Sequence, residues 1–210
     1  MNLVRAIDAG FDGNVFYMGT EFIDGLDLNR LVKKYGCLTD DVAASIISQA
    51  ARALGYAHEN KIVHRDVKPG NIFVGFDGCV KLLDLGLARS EAAGEASSFS
   101  GVVGTIDYIS PEQLDKNSAG SVGSSADVYS LGCTLYYTVT GEPPYPGGDR
   151  GDKARRHLDS KSISKSEIQK NAKRSSPGFC DVLYGMLLKE PGDRYQSMDE
   201  VIDSLGNWLP

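Results

Sequence analysis

One polar segment of the chain lies between two short apolar runs: His64-Arg65-Asp66-Val67-Lys68-Pro69-Gly70-Asn71. Charged and amide side chains at this density suit a catalytic loop better than a buried core segment. Asp66 has a carboxylate that can accept a proton, and Lys68 can neutralise negative charge on a reacting group. We therefore predict a catalytic loop at residues 64–71.

A second motif, Asp84-Leu85-Gly86, begins thirteen residues after Asn71 and directly follows the strand-like run Val80–Leu83. The Asp84 carboxylate and the Asn71 amide oxygen are hard oxygen ligands of the kind that Mg²⁺ takes together with nucleotide phosphates. With Asp66 and Lys68, these side chains make up the parts that phosphoryl transfer requires.

Three motifs in order make the sequence similar to the eukaryotic-type, or Hanks-type, Ser/Thr protein kinase family. They are H-R-D-x-K-x-x-N at 64–71, a D-L-G variant of D-F-G at 84–86, and G-T-x-x-Y-x-S-P-E at 104–112. The segments Glu21–Leu28 and Leu82–Arg89 are similar to those of bacterial members, so a bacterial kinase is expected. The resemblance covers essentially the whole chain.

The resemblance implies catalytic roles for three residues of the loop. Asp66 would be the catalytic base, Lys68 would contact the transferred phosphate, and Asn71 would complete the catalytic set. Asn71 and Asp84 would hold the metal, and the implied cofactors are ATP and Mg²⁺.

The resemblance also implies a nucleotide site. Glu21 and Ile23 belong to the segment 21–25 that looks like the adenine-binding hinge, with Thr20 as its gatekeeper. Phe73 and Asp84 are assigned to the same ATP site.

Four further residues are assigned to structure by the resemblance. Arg65 precedes the catalytic base, and Asp127 would pin the catalytic loop. Glu112 and Arg194 would form a buried ion pair, in which loss of one partner costs about 3–5 kcal/mol.

The activation segment, residues 84–112, contains Ser97, Ser98, Ser100 and Thr105. The three serines are either solvated loop residues or phosphorylation sites, because Arg65 can pair with a phosphate and order the loop. Thr105, together with Lys68, favours serine or threonine over tyrosine as the acceptor.

The expected fold class is α+β and mainly helical, with a protein-kinase-like large, C-terminal lobe. The 210 residues contain no G-x-G-x-x-G, and their first lysine, Lys33, follows the hinge. We therefore expect residues 1–20 to be a two-stranded remnant of the small-lobe sheet, 21–25 the hinge, and 26–210 the large lobe. Such a chain is either truncated or a naturally shortened relative.

The family implies a Ser/Thr kinase that transfers the ATP γ-phosphate to protein substrates, itself included by autophosphorylation. We expect these 210 residues alone to be inactive, and a non-catalytic, pseudokinase-like binding module is the main alternative. A small-molecule phosphotransferase is a third interpretation, although that class generally lacks the Ser110-Pro111-Glu112 and Arg194 pairing.

Hydrophobic patterning predicts the main secondary structure elements. Expected strands are Leu3–Ala9, Val15–Thr20, Ile62–Val63, Ile72–Val74 and Val80–Leu83, the first two joined by a hairpin turn at Asp12-Gly13. Expected helices are one of about twenty residues from Thr39, one through Val128–Val139 that stops at Gly141, one through Phe179–Leu187, and a last one from Ser197 to Trp208.

Composition excludes several classes of protein. Lys and Arg total 22 against 28 Asp and Glu, a net charge of −6 that argues against nucleic-acid binding. No run approaches the roughly 18 apolar residues that span a bilayer, so we expect a cytoplasmic chain without a membrane segment. The four cysteines lack a C-x-x-C pair and are expected to be buried thiols in a reducing compartment: Cys37, Cys79, Cys133 and Cys180.

Charge is unevenly distributed. Residues 149–174 contain nine basic and four acidic residues, a local charge of +5 that leaves −11 for the rest of the chain. This segment is either an ordinary solvated surface or a docking site for acidic substrates. His58 and His157 have no companion ligand residues and are assigned no site.

Overall fold

The computed structural model describes residues 2–83, 106–115, 122–159 and 161–209. Helices predominate and strands are few and short, as the α+β, mainly helical prediction requires. The strands form two separate antiparallel sheets, one of two strands and one of three.

The first sheet is a hairpin of β1 (Ala6–Asp12) and β2 (Val15–Thr20). Its turn contains Gly13 at φ +61°, a backbone conformation that glycine adopts without steric cost. The hairpin prediction is confirmed, although β1 begins later than the apolar run suggested. Leu3 instead forms an isolated parallel bridge with Leu82, which ties the start of the chain to the second sheet.

The second sheet has the strand order β3 (Gly25–Asp27), β4 (Ile72–Gly75), β5 (Val80–Leu82). The predictions of the last two strands are confirmed, whereas β3 was not predicted because three residues with Gly and Asp carry no strand signal. A Cβ at Gly25 would lie 2.2 Å from the Val74 carbonyl oxygen, so only glycine fits there.

The predicted strand Ile62–Val63 is wrong. The Ile62 N–H donates to the Ala57 carbonyl oxygen at 2.9 Å and so closes the end of the preceding helix. That N–H is therefore not available to a neighbouring strand, and no strand includes residues 62–63.

The helices of the described residues fall into a central pair and surrounding shorter ones. Two of them, α2 and α4, supply much of the buried apolar surface, and α4 is buried around most of its circumference, as expected of a central helix. The helices are α1 (Leu28–Tyr35), α2 (Asp40–Glu59), α3 (Pro111–Leu114), α4 (Ser124–Thr140), α5 (Arg150–Leu158), α6 (Lys165–Asn171), α7 (Pro177–Met186) and α8 (Met198–Ser204).

Helix ends follow the sequence signals at several places. Gly141 has φ +82° in the left-handed region and accordingly ends α4 as predicted. At the start of α8, the Ser197 side chain accepts a hydrogen bond from the Glu200 backbone N–H. The Glu200 carboxylate accepts from the backbone N–H of Gln196 and not from that of Ser197. Trp208 lies in a separate 3-10 turn after α8.

The expectation that all four cysteines are buried is half wrong. Cys133 and Cys180 are buried, whereas Cys37 is half-buried and Cys79 is exposed in the β4–β5 turn. All four are free thiols. None of the helices in the described part of the chain is long and apolar enough to cross a membrane.

Candidate active site

In the predicted catalytic loop, the side chains of Lys68 and Asn71 both donate hydrogen bonds to one carboxylate oxygen of Asp66. Asp66 Oδ2 accepts from Lys68 Nζ at 2.7 Å and from Asn71 Nδ2 at 3.1 Å. Asn71 Nδ2 also donates to the Asp66 carbonyl oxygen at 2.9 Å. Because the amide nitrogen of Asn71 is used twice, its Oδ1 is the atom left to face another ligand.

Asp127, a buried residue of α4, binds the backbone of this loop. The Asp127 carboxylate is fully buried and accepts from the backbone N–H groups of His64 and Arg65, each at 2.9 Å. A third group, His58 Nε2 at the end of α2, lies 2.8 Å from Asp127 Oδ2. Asp127 thus joins α2, α4 and the loop, and the pinning contact expected of it is present.

The loop is also bonded to the end of β5. His64 Nε2 lies 2.9 Å from the Leu83 carbonyl oxygen, and the Leu83 N–H donates to the Asn71 carbonyl oxygen at 2.8 Å. Leu83 is the neighbour of Asp84 in the chain. Asp84 itself lies outside the described residues.

An ion pair joins the predicted hinge to the three-stranded sheet. Lys81 Nζ lies 2.7 Å from Glu21 Oε1, which also accepts from the Arg5 backbone N–H. The hydrogen bond from Lys81 lowers the pKa of the Glu21 carboxyl. Phe73 and Lys81 are directly opposed in the β4–β5 pair, so their side chains share the sheet face from which Lys81 reaches the hinge.

Only part of the backbone of the predicted hinge forms hydrogen bonds with the described residues. The Glu21 N–H donates to the Arg5 carbonyl oxygen, and the Asp24 carbonyl oxygen accepts from Phe76. The Ile23 backbone forms no hydrogen bond with the described part of the chain. Glu21 and Ile23 line a cavity of about 320 Å³ beside the β4–β5 turn.

The predicted partners Glu112 and Arg194 form a buried, two-pronged ion pair. Arg194 Nη1 and Nη2 donate to Glu112 Oε1 and Oε2 at 2.7 and 2.9 Å. Arg194 also donates to the carbonyl oxygens of Leu188 and Ser125, and its guanidinium lies 4.9 Å from the centre of the Tyr129 ring. These contacts hold Glu112, at the end of the predicted activation segment, against α4.

Residues 106–112 are the described end of the predicted activation segment. The next residue, Gln113, donates from Nε2 to the Arg65 carbonyl oxygen at 2.8 Å, which joins this part of the chain to the predicted catalytic loop. Ser97, Ser98, Ser100 and Thr105 all lie outside the described residues.

Four residues with side-chain contacts in the structure were given no individual role by the sequence analysis. Gln113 had no signal beyond its place after Glu112, and His64 was visible only as part of the quoted motif. His58 and His157 were assigned no site, yet His58 binds Asp127 and His157 is fully buried with Nδ1 3.0 Å from the Tyr129 hydroxyl. The described residues contain no group of three His, Cys, Asp or Glu that could hold a metal by themselves.

Helices around a central α4, a small antiparallel sheet and a polar loop between them define a kinase-like protein. The protein kinase domain family matches residues 1–205 of the chain. The chain therefore belongs to the protein kinase domain family.

Named relatives agree with this membership. A probable serine/threonine-protein kinase of Clostridium acetobutylicum is 34% identical over 206 residues, which cover 98% of this chain and 30% of the relative. The serine/threonine-protein kinase PknB of Mycobacterium tuberculosis is 36% identical over 191 residues, 90% of this chain and 30% of PknB. The chain thus spans about 30% of the length of these relatives.

A solved structure gives the same fold. The crystal structure of Rad53 1–466 in complex with AMP-PNP superposes with a TM-score of 0.79 at 27% sequence identity. The superposition covers 99% of this chain and 50% of the Rad53 chain.

Proposed function

We propose that this chain is the catalytic part of a Ser/Thr protein kinase that transfers the γ-phosphate of ATP to protein hydroxyl groups. The observation that carries the proposal is the carboxylate of Asp66, whose Oδ2 is held by Lys68 and Asn71. Oδ1 has no partner in the described part of the chain, so it can accept the proton of an incoming serine or threonine hydroxyl. A base fixed by two neighbours needs little reorganisation during the reaction.

Lys68 has a second use in the proposed reaction. Its ammonium group, 2.7 Å from Asp66 Oδ2, is close enough to the acceptor to neutralise charge on the phosphoryl group during transfer. Buried Asp127 keeps the loop backbone in place while this happens.

The donor set fits Mg²⁺ and a nucleotide. Asn71 Oδ1 has no partner among the described residues, and with the Asp84 carboxylate it would supply oxygen ligands of the type Mg²⁺ takes. Bound Mg·ATP would supply the phosphoryl group and balance its charge. The free Ile23 backbone groups could bind adenine, and Phe73 lies on the sheet face directed to the hinge.

The domain limits remain part of the proposal. Residues 1–20 correspond to small-lobe strands, 21–25 to the hinge and 26–210 to the large lobe. The separate hairpin β1–β2, which belongs to a different sheet from β3, supports the boundary near residue 20. Free cysteines support a cytoplasmic location, and protein substrates, this kinase included, are the proposed partners.

Two carboxylate variants of the protein at its full natural length test the proposal. Asp66→Asn should reduce phosphate transfer by at least about a hundredfold and leave nucleotide affinity largely intact. Asp84→Asn should reduce transfer and also weaken Mg·ATP binding, because that carboxylate is assigned to the metal. Asp203→Asn, on the exposed side of α8, is the matched control and should change neither. If Asp66→Asn abolished nucleotide binding as completely as Asp84→Asn, the assigned roles would be wrong.

A further inference from the structure

Helix α5, the first helix of the basic segment 149–174, is anchored to the described end of the activation segment. Lys153 Nζ lies 2.7 Å from Asp107 Oδ1, with both side chains largely buried. The helix packs against the 3-10 turn Ile106–Tyr108 and against α3. This contact places α5 beside the segment that, under the proposed function, binds the protein substrate.

The helical repeat identifies which residues of α5 face this segment. His157 is fully buried against Tyr129, and Lys153, four residues earlier, contacts Asp107. Arg150 precedes Lys153 by three residues, so it lies on the same face, about 4.5 Å further along the helix axis. It is exposed, and its side chain forms no ion pair or hydrogen bond with the described part of the chain.

The acids of α5 itself are already engaged. Asp149 Oδ1 accepts from the Asp152 N–H at 2.8 Å, and Asp152 Oδ2 accepts in return from the Asp149 N–H. Asp152 Oδ1 is paired with Arg155 at 2.5 Å. Neither carboxylate forms an ion pair with Arg150.

The acids of the neighbouring segment are engaged as well. Asp107 is paired with Lys153 and Glu112 with Arg194, and Asp115 is not without a partner. Within the described part of the chain, Arg150 therefore presents an unpaired guanidinium at the edge of the 106–115 segment.

We propose that Arg150 selects protein substrates with Asp or Glu close to the phosphorylated residue. This inference rests on the proposed function, because it assumes that the substrate lies along the 106–115 segment. It resolves the two interpretations of the basic segment in favour of acidic-substrate binding at one position, the N-terminal end of α5. A guanidinium can hold a carboxylate through two parallel hydrogen bonds, which gives Arg150 the geometry for this selection.

Two peptide substrates measure the selection in the protein at its full natural length. One has Asp and Glu on both sides of a serine, and the other has Asn and Gln at the same positions. We expect Arg150→Ala to lower the ratio of kcat/KM for the acidic over the neutral peptide about threefold, the effect of one exposed ion pair. Arg150→Glu should lower that ratio about tenfold, with the change in KM rather than kcat.

Lys170→Ala is the matched control, because Lys170 is an exposed cation of the same basic segment on α6, which packs against α7. The ratio should stay at the parent value in this variant. An equal fall in Lys170→Ala, or a parent that does not distinguish the peptides, would overturn the inference.

A binding measurement separates this inference from the proposed function. Fluorescence anisotropy of labelled peptides with alanine at the acceptor position gives their affinities without nucleotide. The acidic-to-neutral affinity ratio should fall in Arg150→Ala and be unchanged in Lys170→Ala. If the protein transfers no phosphate but shows this pattern, the proposed function fails and the recognition of acidic segments stands. An affinity ratio unaffected by Arg150→Glu would refute the recognition itself.

Discussion

The Asp127 carboxylate accepts a hydrogen bond at 2.9 Å from the backbone N–H of Arg65, a residue with φ +64°. A left-handed conformation costs a non-glycine residue about 1–3 kcal/mol unless its surroundings hold it. Asp127 is fully buried and also binds the neighbouring His64 N–H, so it stabilises the strained turn from which Asp66 projects.

Asp127→Asn should therefore destabilise the protein. The amide offers one acceptor oxygen in place of two, which leaves a buried backbone N–H without a partner and lowers the free energy of unfolding by about 1–3 kcal/mol. Urea unfolding of the 210-residue chain, followed by the fluorescence of its single tryptophan, Trp208, measures this. The exposed Asp203→Asn is the control and should stay within about 0.5 kcal/mol of the parent. Equal stability of both variants would contradict the prediction.

Arg194→Met should cost about 3–5 kcal/mol, because it leaves the Glu112 carboxylate buried without its partner. Arg155→Met is the comparison, since it breaks the exposed pair with Asp152 and should cost less than about 1 kcal/mol. The same urea experiment compares them. Similar losses of unfolding free energy in the two variants would show that burial does not increase the contribution of the Glu112–Arg194 pair to stability.

The stability of the chain should fall between pH 6.5 and pH 3 in part through His157. Burial, with the nearby Lys189 charge, lowers the pKa of His157 from 6.5 to about 3. Since the unfolded chain binds this proton first, folding stability is lost as the pH falls, by up to about 1.4 kcal/mol per pH unit. The His157→Gln variant should show a shallower dependence of the unfolding free energy on pH over this range. Identical slopes in parent and variant would rule the contribution out.

The 210-residue chain by itself should bind ATP weakly and transfer phosphate negligibly. It contains no Gly-rich loop, and its first lysine, Lys33, follows the hinge. Without these phosphate contacts the γ-phosphoryl group is poorly ordered for attack, which should reduce the rate by several powers of ten. A radiometric assay of the 210-residue chain tests this. Turnover near 1 s⁻¹, within the usual range for kinases, would contradict it.

The protein at full natural length should phosphorylate itself on one or more of Ser97, Ser98 and Ser100. The Arg65 Nε is buried and has no hydrogen-bond partner among the described residues, so its N–H is available to donate to a phosphate oxygen. Ser98 and Ser100 are favoured because they flank Phe99, and Thr105 is excluded because its hydroxyl is expected to face Asp66 and Lys68. Mass spectrometry of the active protein, compared with the triple Ser→Ala variant, measures this. Full activity in that variant, with no phosphate on the parent segment, would mean that Arg65 has no such partner.

Elements with strong local patterns were predictable from the sequence. The apolar repeat gave α2 within a residue of its ends, and Gly141 gave the end of α4. The loop 64–71 was found because its chemistry is compressed into eight consecutive residues. The roles of Asp66, Lys68 and Asn71 in catalysis stay predictions, although their side chains are in contact.

Other elements carried too little local signal. Helices α5 and α6 are polar, and each begins with a side-chain cap and not with an apolar repeat, so only their charge was noticed. The strand β3 forms because its backbone pairs with the edge of β4. The expected strand at residues 62–63 does not form, because the Ile62 N–H donates to the Ala57 carbonyl oxygen at the end of α2.

The sequence by itself therefore determined the family and the helices with a continuous apolar stripe, and it singled out the polar loop 64–71, since these are properties of neighbouring residues. Only the tertiary structure decided which distant groups meet. Packing around α4 brings Asp127 to Arg65 and to His58, and Arg194 to Glu112. These polar groups are separated by 62 to 82 positions along the chain, and no local periodicity records such a separation. Their contacts form because a buried charge is stable only where the fold supplies its partner.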